Sequence, residues 1–337
     1  MRALLVFVLG IFLFNAGCAP LPGSSSVNKP DKLTLQLKWK IQAQFAGYLV
    51  ALEKGFYEDE NLDVTINAGG PGIATPEVIA NGGADIIIDW MPSALAYRQA
   101  GVPIVNIAQP FANSSMMLVC LRDRNVTSVV HFPGKKIGVW LAGNEYPFLS
   151  WMNRLGFGVE GGEDGIEILE QLGAVDLIED NSADCVSMLS YGFYEFAQIG
   201  LGDEDITVFH YQDQGVSILE DGIYVLEESL EDEESVNRLQ RFLRASMRGW
   251  RYAEENQEEA VDIILSLAPE DSSIHRDGQL YMMREVAKLT DGTDGLLKVS
   301  DYWRTVNILS TGGTNSVIAR NPEGAWTRTI TDGLEKR

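Results

Sequence analysis

Basic residues are scarce in this chain. Its 337 residues hold 26 Lys and Arg against 48 Asp and Glu, a formal charge of −22. A nucleic-acid partner needs clustered Lys and Arg to neutralise phosphates, so that class is set aside. The same field disfavours a strongly anionic small ligand. Cysteine and histidine are rarer still, at three each. There is no C-x-x-C and no Cys/His cluster, and His131, His210 and His275 are scattered, so no metal site or bound cofactor is expected. No H-E-x-x-H and no Ser-His-Asp arrangement is supported, which leaves an enzyme reading weak. Gly69-Gly70-Pro71-Gly72 has no Walker lysine behind it and reads as a tight βα turn. Ala3 to Phe14 is apolar but too short to span a bilayer as a stable helix.

What is present begins with an export signal. Arg2 is a minimal positive n-region and Ala3 to Phe14 an h-region, so residues 1–17 read as a signal peptide. Asn15-Ala16-Gly17-Cys18 has the form of a bacterial lipobox, with Asn15 standing where Leu is usual. The expectation is a lipoprotein acylated at Cys18 and held at the extracytoplasmic face of the cell membrane. Plain secretion after a nearby cleavage is the alternative. Residues 18–32, with Pro20, Pro22, Gly23 and three serines, read as a flexible tether. An exported compartment permits a disulfide. Cys120 and Cys185 both sit in apolar, strand-like runs, however, and are expected as buried free thiols.

From Leu33 onward, strand and helix patterns alternate. Leu33, Leu35 and Leu37 alternate with polar residues at strand period, and Phe45, Tyr48, Leu49 and Leu52 then mark one face of an amphipathic helix stopped at Gly55. Similar units continue to Ala108. Phe111 to Ser115 reads as a crossing into a second lobe with its own alternation, and Gly215 to Leu226 as the return. Ser235 to Asn256 is a long amphipathic helix with Val236, Leu239, Phe242, Leu243, Met247 and Trp250 on one face. The chain is too long for one typical core. The expected fold is α/β with two lobes, the first discontinuous (33–113 and 218–337), the second continuous (114–217), and a ligand cleft between them.

Four loops at expected strand ends carry aromatic residues: Trp39 to Phe45, Asp89 to Met91, Trp140 to Tyr146 and Tyr191 to Glu195. In α/β sheets such strand-end loops are where ligands bind. Trp39, Phe45, Trp90, Trp140 and Tyr191 are candidate stacking walls, with Tyr194 beside them. Gln44, Asp89, Asn144 and Glu145 are candidate readers of a polar ring edge, and Glu220 and Asp221 join that list. For each aromatic residue alone, a packing role is the simple alternative. Aromatic walls with amide and carboxylate edges suit a planar, hydrogen-bonding heterocycle, since stacking contributes about 1–3 kcal/mol per ring.

WKIQAQFAGYLVALEKGFY, DWMPSALAYRQAG, GVWLAGNEYPFLSWM, ADCVSMLSY, DQGVSILEDGIYVLEE and RASMRGWRYAEENQEEAV together resemble the NMT1/THI5-like solute-binding proteins. The resemblance covers nearly all of the chain after the signal. It implies a type II periplasmic-binding-protein fold and delivery of a small heterocycle to an ABC permease. Two ligand classes compete within it, aminopyrimidine precursors of thiamine and riboflavin, the latter in lipoproteins of the RibY type. A common Y-N-E-Y pattern is here Tyr191-Gly192-Phe193-Tyr194, with Phe193 where the family often has Glu. Losing that carboxylate weakens the pyrimidine reading unless Glu195 or Glu145 substitutes for it, and an added aromatic wall favours the three-ring isoalloxazine. Riboflavin is therefore the expected ligand, the thiamine pyrimidine the alternative. The pyrimidine-synthesising members use an active-site His and a cysteine-rich motif, which this chain does not match.

Overall fold

The computed structural model describes residues 29–334, apart from 71, 142, 143, 163, 164, 174, 271, 273, 291 and 312–315. Cys18, the expected signal peptide and most of the expected tether lie outside the described residues. The chain runs β1 (Asp31–Gln36), α1 (Ala46–Glu53), α2 (Phe56–Asp59), β2 (Leu62–Asn67), α3 (Thr75–Ala80), β3 (Ile86–Asp89), α4 (Met91–Gln99) and β4 (Ile104–Ala108). Next come β5 (Met116–Leu121), β6 (Lys136–Val139), α5 (Tyr146–Leu155), β7 (Glu167–Glu170), α6 (Asp176–Glu179), β8 (Cys185–Leu189), α7 (Tyr194–Gln198) and β9 (Ile206–His210). β10 (Gly222–Leu226) follows, then α8 (Glu233–Glu255), α9 (Gln257–Leu267), α10 (Arg276–Thr290) and α11 (Val299–Thr311). Because β1 begins at Asp31, the last two residues of the stretch read as tether belong to the first strand.

Two five-stranded sheets result, in the orders β2-β1-β3-β10-β4 and β7-β6-β8-β5-β9. In the first, β1 is parallel to β2 and β3, while β10 is antiparallel to both β3 and β4. In the second, β6 is parallel to β7 and β8, and β5 is antiparallel to β8 and β9. One sheet is thus closed only when the chain returns as β10, and two segments, between β4 and β5 and between β9 and β10, join the lobes.

Two readings are corrected by packing. The helix α1 is not amphipathic: Ala46 to Ala51 are all buried, because α8 covers the face that would otherwise meet water. Its 23 residues present Leu239, Phe242, Leu243, Met247 and Trp250 to the core. The cysteines are not free thiols. Cys120 on β5 and Cys185 on β8 are directly opposite in the antiparallel ladder and form a disulfide, with Cα atoms 4.0 Å apart. Two apolar strand patterns say nothing about which strands will be neighbours, so the pairing was invisible in the sequence.

Candidate functional site

β1 and β3 end side by side, and the loops that leave them meet the two crossing segments. Asp89, at the end of β3, is fully buried. Its carboxylate accepts from Lys38 Nζ (2.5 Å), from the Trp90 backbone N–H (2.7 Å) and from Ser93 Oγ (2.8 Å). It thereby closes the turn into α4, which starts at Met91-Pro92 with the proline in its first turn. The Trp90 indole donates from Nε1 to Asp221 Oδ1 (3.1 Å). Gln44, oriented by Gln42 Nε2 on its Oε1 (2.7 Å), donates from Nε2 to Asp221 Oδ2 (2.6 Å). Asp221 is 1% exposed, and burial pushes its carboxyl up to about 6 against the opposing donors Gln44 and Trp90 and the charge of Lys38.

Glu220, its neighbour in the chain, points to the other crossing. Oε1 accepts from Ser114 Oγ (2.8 Å) and from the backbone N–H of Ser115 (2.7 Å) and Met116 (3.2 Å), and Oε2 from Ser115 Oγ (2.6 Å). Burial is again the dominant influence and raises this carboxyl to about 7. Tyr191, in a one-turn 3₁₀ helix after β8, lies beside this group. Burial, then the charges of Asp221 and Glu220, push its phenol well above the ordinary value. Its hydroxyl has no partner in hydrogen-bonding geometry.

The two aromatic residues at this junction are exchanged between lobes. Trp90, carried by the first sheet, packs into a core made by Met116, Leu118, Phe148 and Ile218. Tyr191, carried by the second sheet, packs into the first-lobe core with Phe45, Tyr48 and Trp250. Both rings are covered by protein in this conformation.

Of the residues expected from sequence, Gln44, Asp89, Trp90, Tyr191, Glu220 and Asp221 converge here. Phe45 is wholly buried in the first-lobe core and acts there as packing. Trp39 is half-buried against the same core. Trp140, also half-buried, donates from Nε1 to the Gly173 carbonyl (3.1 Å). Asn144 is tied by Nδ2 to Leu141 O (3.2 Å), with its Oδ1 buried and unpartnered. Glu145 lies by Tyr146, whose phenol burial and this carboxylate raise to about 12. Tyr194 is half-buried, 6.0 Å from the ring of Tyr281 on α10. Phe193 does not widen a cleft wall. It stacks on Phe196 at 5.5 Å, against the second lobe's other core. Lys38 and Ser115 were missed, being single polar residues without a pattern. Glu220-Asp221 carried a readable signal: an acidic pair set between the apolar runs Val216–Leu219 and Ile223–Leu226 has no solvated face available.

Comparison with known proteins places this geometry in a family. The family described as NMT1/THI5 like matches residues 42–260. A formylaminopyrimidine-binding protein of Halalkalibacterium halodurans is 24% identical over 262 residues, covering 78% of each chain. A 4-amino-5-hydroxymethyl-2-methylpyrimidine phosphate synthase of Legionella pneumophila is 23% identical over 263 residues, 71% of this chain and 75% of that one. Among solved structures, the alkanesulfonate-binding protein of Xanthomonas axonopodis superimposes with a TM-score of 0.61 at 12% identity, over 91% of this chain and 98% of that one. The fold is that of the type II periplasmic binding proteins.

Proposed function

Since the chain belongs to the NMT1/THI5-like family, we propose that it is the solute-binding component of an ABC importer and captures a small planar nitrogen heterocycle of the aminopyrimidine class. The observation that carries this reading is the convergence of Gln44, Asp89, Trp90, Tyr191 and Asp221 from separate segments onto one junction between the lobes. Two carboxylates, an amide and two rings supply hydrogen-bond acceptors, a donor and flat faces. Those are the groups that orient an amino-substituted ring, because a buried polar edge left unpaired costs roughly 1–3 kcal/mol. Opening of the lobes admits the ligand and closure desolvates it. The formylaminopyrimidine-binding relative supports the ligand class.

Riboflavin is the second reading. Its support is the half-buried faces of Trp39, Trp140 and Tyr194 and the scarcity of bases. Phe193 does not add to that support, since its ring stacks on Phe196 within its own lobe. Catalysis of the kind named for the Legionella relative is a third class, which stoichiometric binding without a new product would eliminate. Membrane attachment through Cys18 and hand-over to a permease complete the proposal. With a Cys18→Ser variant, the protein is expected to move from the membrane to the soluble extracytoplasmic fraction.

The ligand is tested by titrating the full chain, in detergent micelles, with 4-amino-5-hydroxymethyl-2-methylpyrimidine and with riboflavin, following tryptophan and flavin fluorescence. One-to-one quenching by the pyrimidine that riboflavin does not displace is expected. Saturable flavin quenching untouched by the pyrimidine would hand the site to riboflavin. If riboflavin is the ligand, Trp39→Ala and Trp140→Ala should each weaken binding by more than ~1 kcal/mol while the melting temperature holds.

A further inference from the structure

Three carboxylates are buried at the junction, Asp89, Glu220 and Asp221, none more than 1% exposed. One ammonium faces them, and Lys38 is committed to Asp89. Among the described residues, neither Glu220 nor Asp221 has an ion pair. Glu220 is instead surrounded by four donors. Asp221 has a single neutral donor on each oxygen, and each oxygen can accept about two. A buried carboxylate without a counter-charge is costly. A second, independent feature lies beside it. The Tyr191 hydroxyl is buried, feels the charges of both Asp221 and Glu220, and has no partner in hydrogen-bonding geometry. The Tyr48 hydroxyl on α1 is likewise buried, unpartnered and within the field of Asp221. Acceptors and a buried hydroxyl are therefore gathered where the lobes meet, with more carboxylates than the single ammonium of Lys38 balances.

We infer that Asp221 is the counter-ion of the bound solute, and that the site selects a heterocycle with a protonated, amidine-like nitrogen edge, with the Tyr191 hydroxyl as a further polar contact. This rests on the aminopyrimidine reading and names the residue and the charge state that reading requires. A ring N–H⁺ next to an exocyclic amine offers two parallel donors, which match the two oxygens of a carboxylate. Gln44 and Trp90 keep their own bonds on the remaining lone pairs and set the plane of the carboxylate. Neutral isoalloxazine would leave the charge of Asp221 uncompensated.

The pH dependence follows from the groups around Asp221: Lys38 and Asp89 from the ends of β1 and β3, Glu220 in its own segment, and the phenols of Tyr48, Tyr191 and Tyr224. Burial raises Asp221 to about 6. The counter-ion is therefore lost as pH falls through that value, and affinity falls with it. At alkaline pH the solute loses its own proton and affinity falls again.

The full chain in micelles is titrated with 4-amino-5-hydroxymethyl-2-methylpyrimidine at pH 5, 7 and 9, beside Asp221→Asn and Tyr191→Phe, with melting temperatures recorded. The expected result is a maximum near pH 7 and a loss of roughly 30-fold or more for Asp221→Asn at that pH, the range of a charge-assisted hydrogen bond. Tyr191→Phe should weaken binding by about 3- to 10-fold. Wild-type-like affinity in a folded Asp221→Asn protein overturns the inference and leaves the aminopyrimidine reading standing. Should that variant not fold, the wild-type profile decides, and unchanged affinity between pH 7 and pH 5 overturns it. Riboflavin binding without pyrimidine binding removes both together.

Discussion

Glu220 accepts four hydrogen bonds and is still raised to about 7 from its ordinary 4.5, because burial outweighs the serine donors. With the folded value above the unfolded one, the native state holds this proton more tightly. The stability it contributes is full below about pH 4.5 and is lost as pH rises through about 7. The gap corresponds to roughly 3 kcal/mol. A Glu220→Gln variant is expected to lose that dependence, becoming less stable than wild type at pH 4 and recovering relative to it at pH 8. Urea unfolding at the two pH values measures this, and parallel behaviour of the two proteins would contradict it. The residue also shows what a sequence hides. Its acidity and apolar neighbours are readable, but the serines that hold it are more than a hundred positions away.

At the scale of elements, α1 and α8 pack closely enough that their glycines become structural. A Cβ on Gly47 would stand 2.2 Å from the Trp250 ring, and one on Gly249 would stand 2.0 Å from the Gly47 carbonyl. In an exposed helix, Gly→Ala gains up to about 1 kcal/mol. Here overpacking reverses the sign, and Gly47→Ala is expected to cost about 1–3 kcal/mol, visible as a lower urea midpoint. The Cys120–Cys185 bridge closes a loop with a sequence separation of 65. By loop entropy it stabilises the second lobe by up to about 4 kcal/mol. Cys120→Ala/Cys185→Ala protein should unfold at lower urea, and reductant should shift only the wild type. The strand patterns around both cysteines were legible, whereas their adjacency depends on the β8-β5 order, which arises from long-range pairing.

For the whole molecule, the lobes are joined by more than the two crossings. Tyr281 on α10 donates to the Ser190 carbonyl (3.3 Å) and faces the Tyr194 ring, and Asn153 on α5 donates to the Thr311 carbonyl (2.8 Å). Trp90 and Tyr191 each sit in the opposite lobe's core. Opening must break these contacts, so they weight the balance between open and closed forms. Removing the Tyr281 ring takes away one hydrogen bond and one aromatic contact, about 1–2 kcal/mol together. Tyr281→Ala is therefore expected to raise the radius of gyration of the ligand-free protein in solution scattering, and saturating ligand should restore the compact value. An unchanged radius would mean that this contact does not hold the lobes.

The sequence by itself determined the α/β class, the discontinuous first lobe and the loops that carry Gln44, Asp89, Trp90 and Tyr191. These follow from hydrophobic period, turn residues and composition, all local properties. Only the tertiary structure decided that α1 is buried from Ala46 to Ala51, that Phe45 and Phe193 are packing residues, that the cysteines are bridged, and that Glu220 and Asp221 divide their partners between two segments. Each of those depends on which distant surface comes to cover a residue, and burial of that kind is set by contacts far apart in the chain.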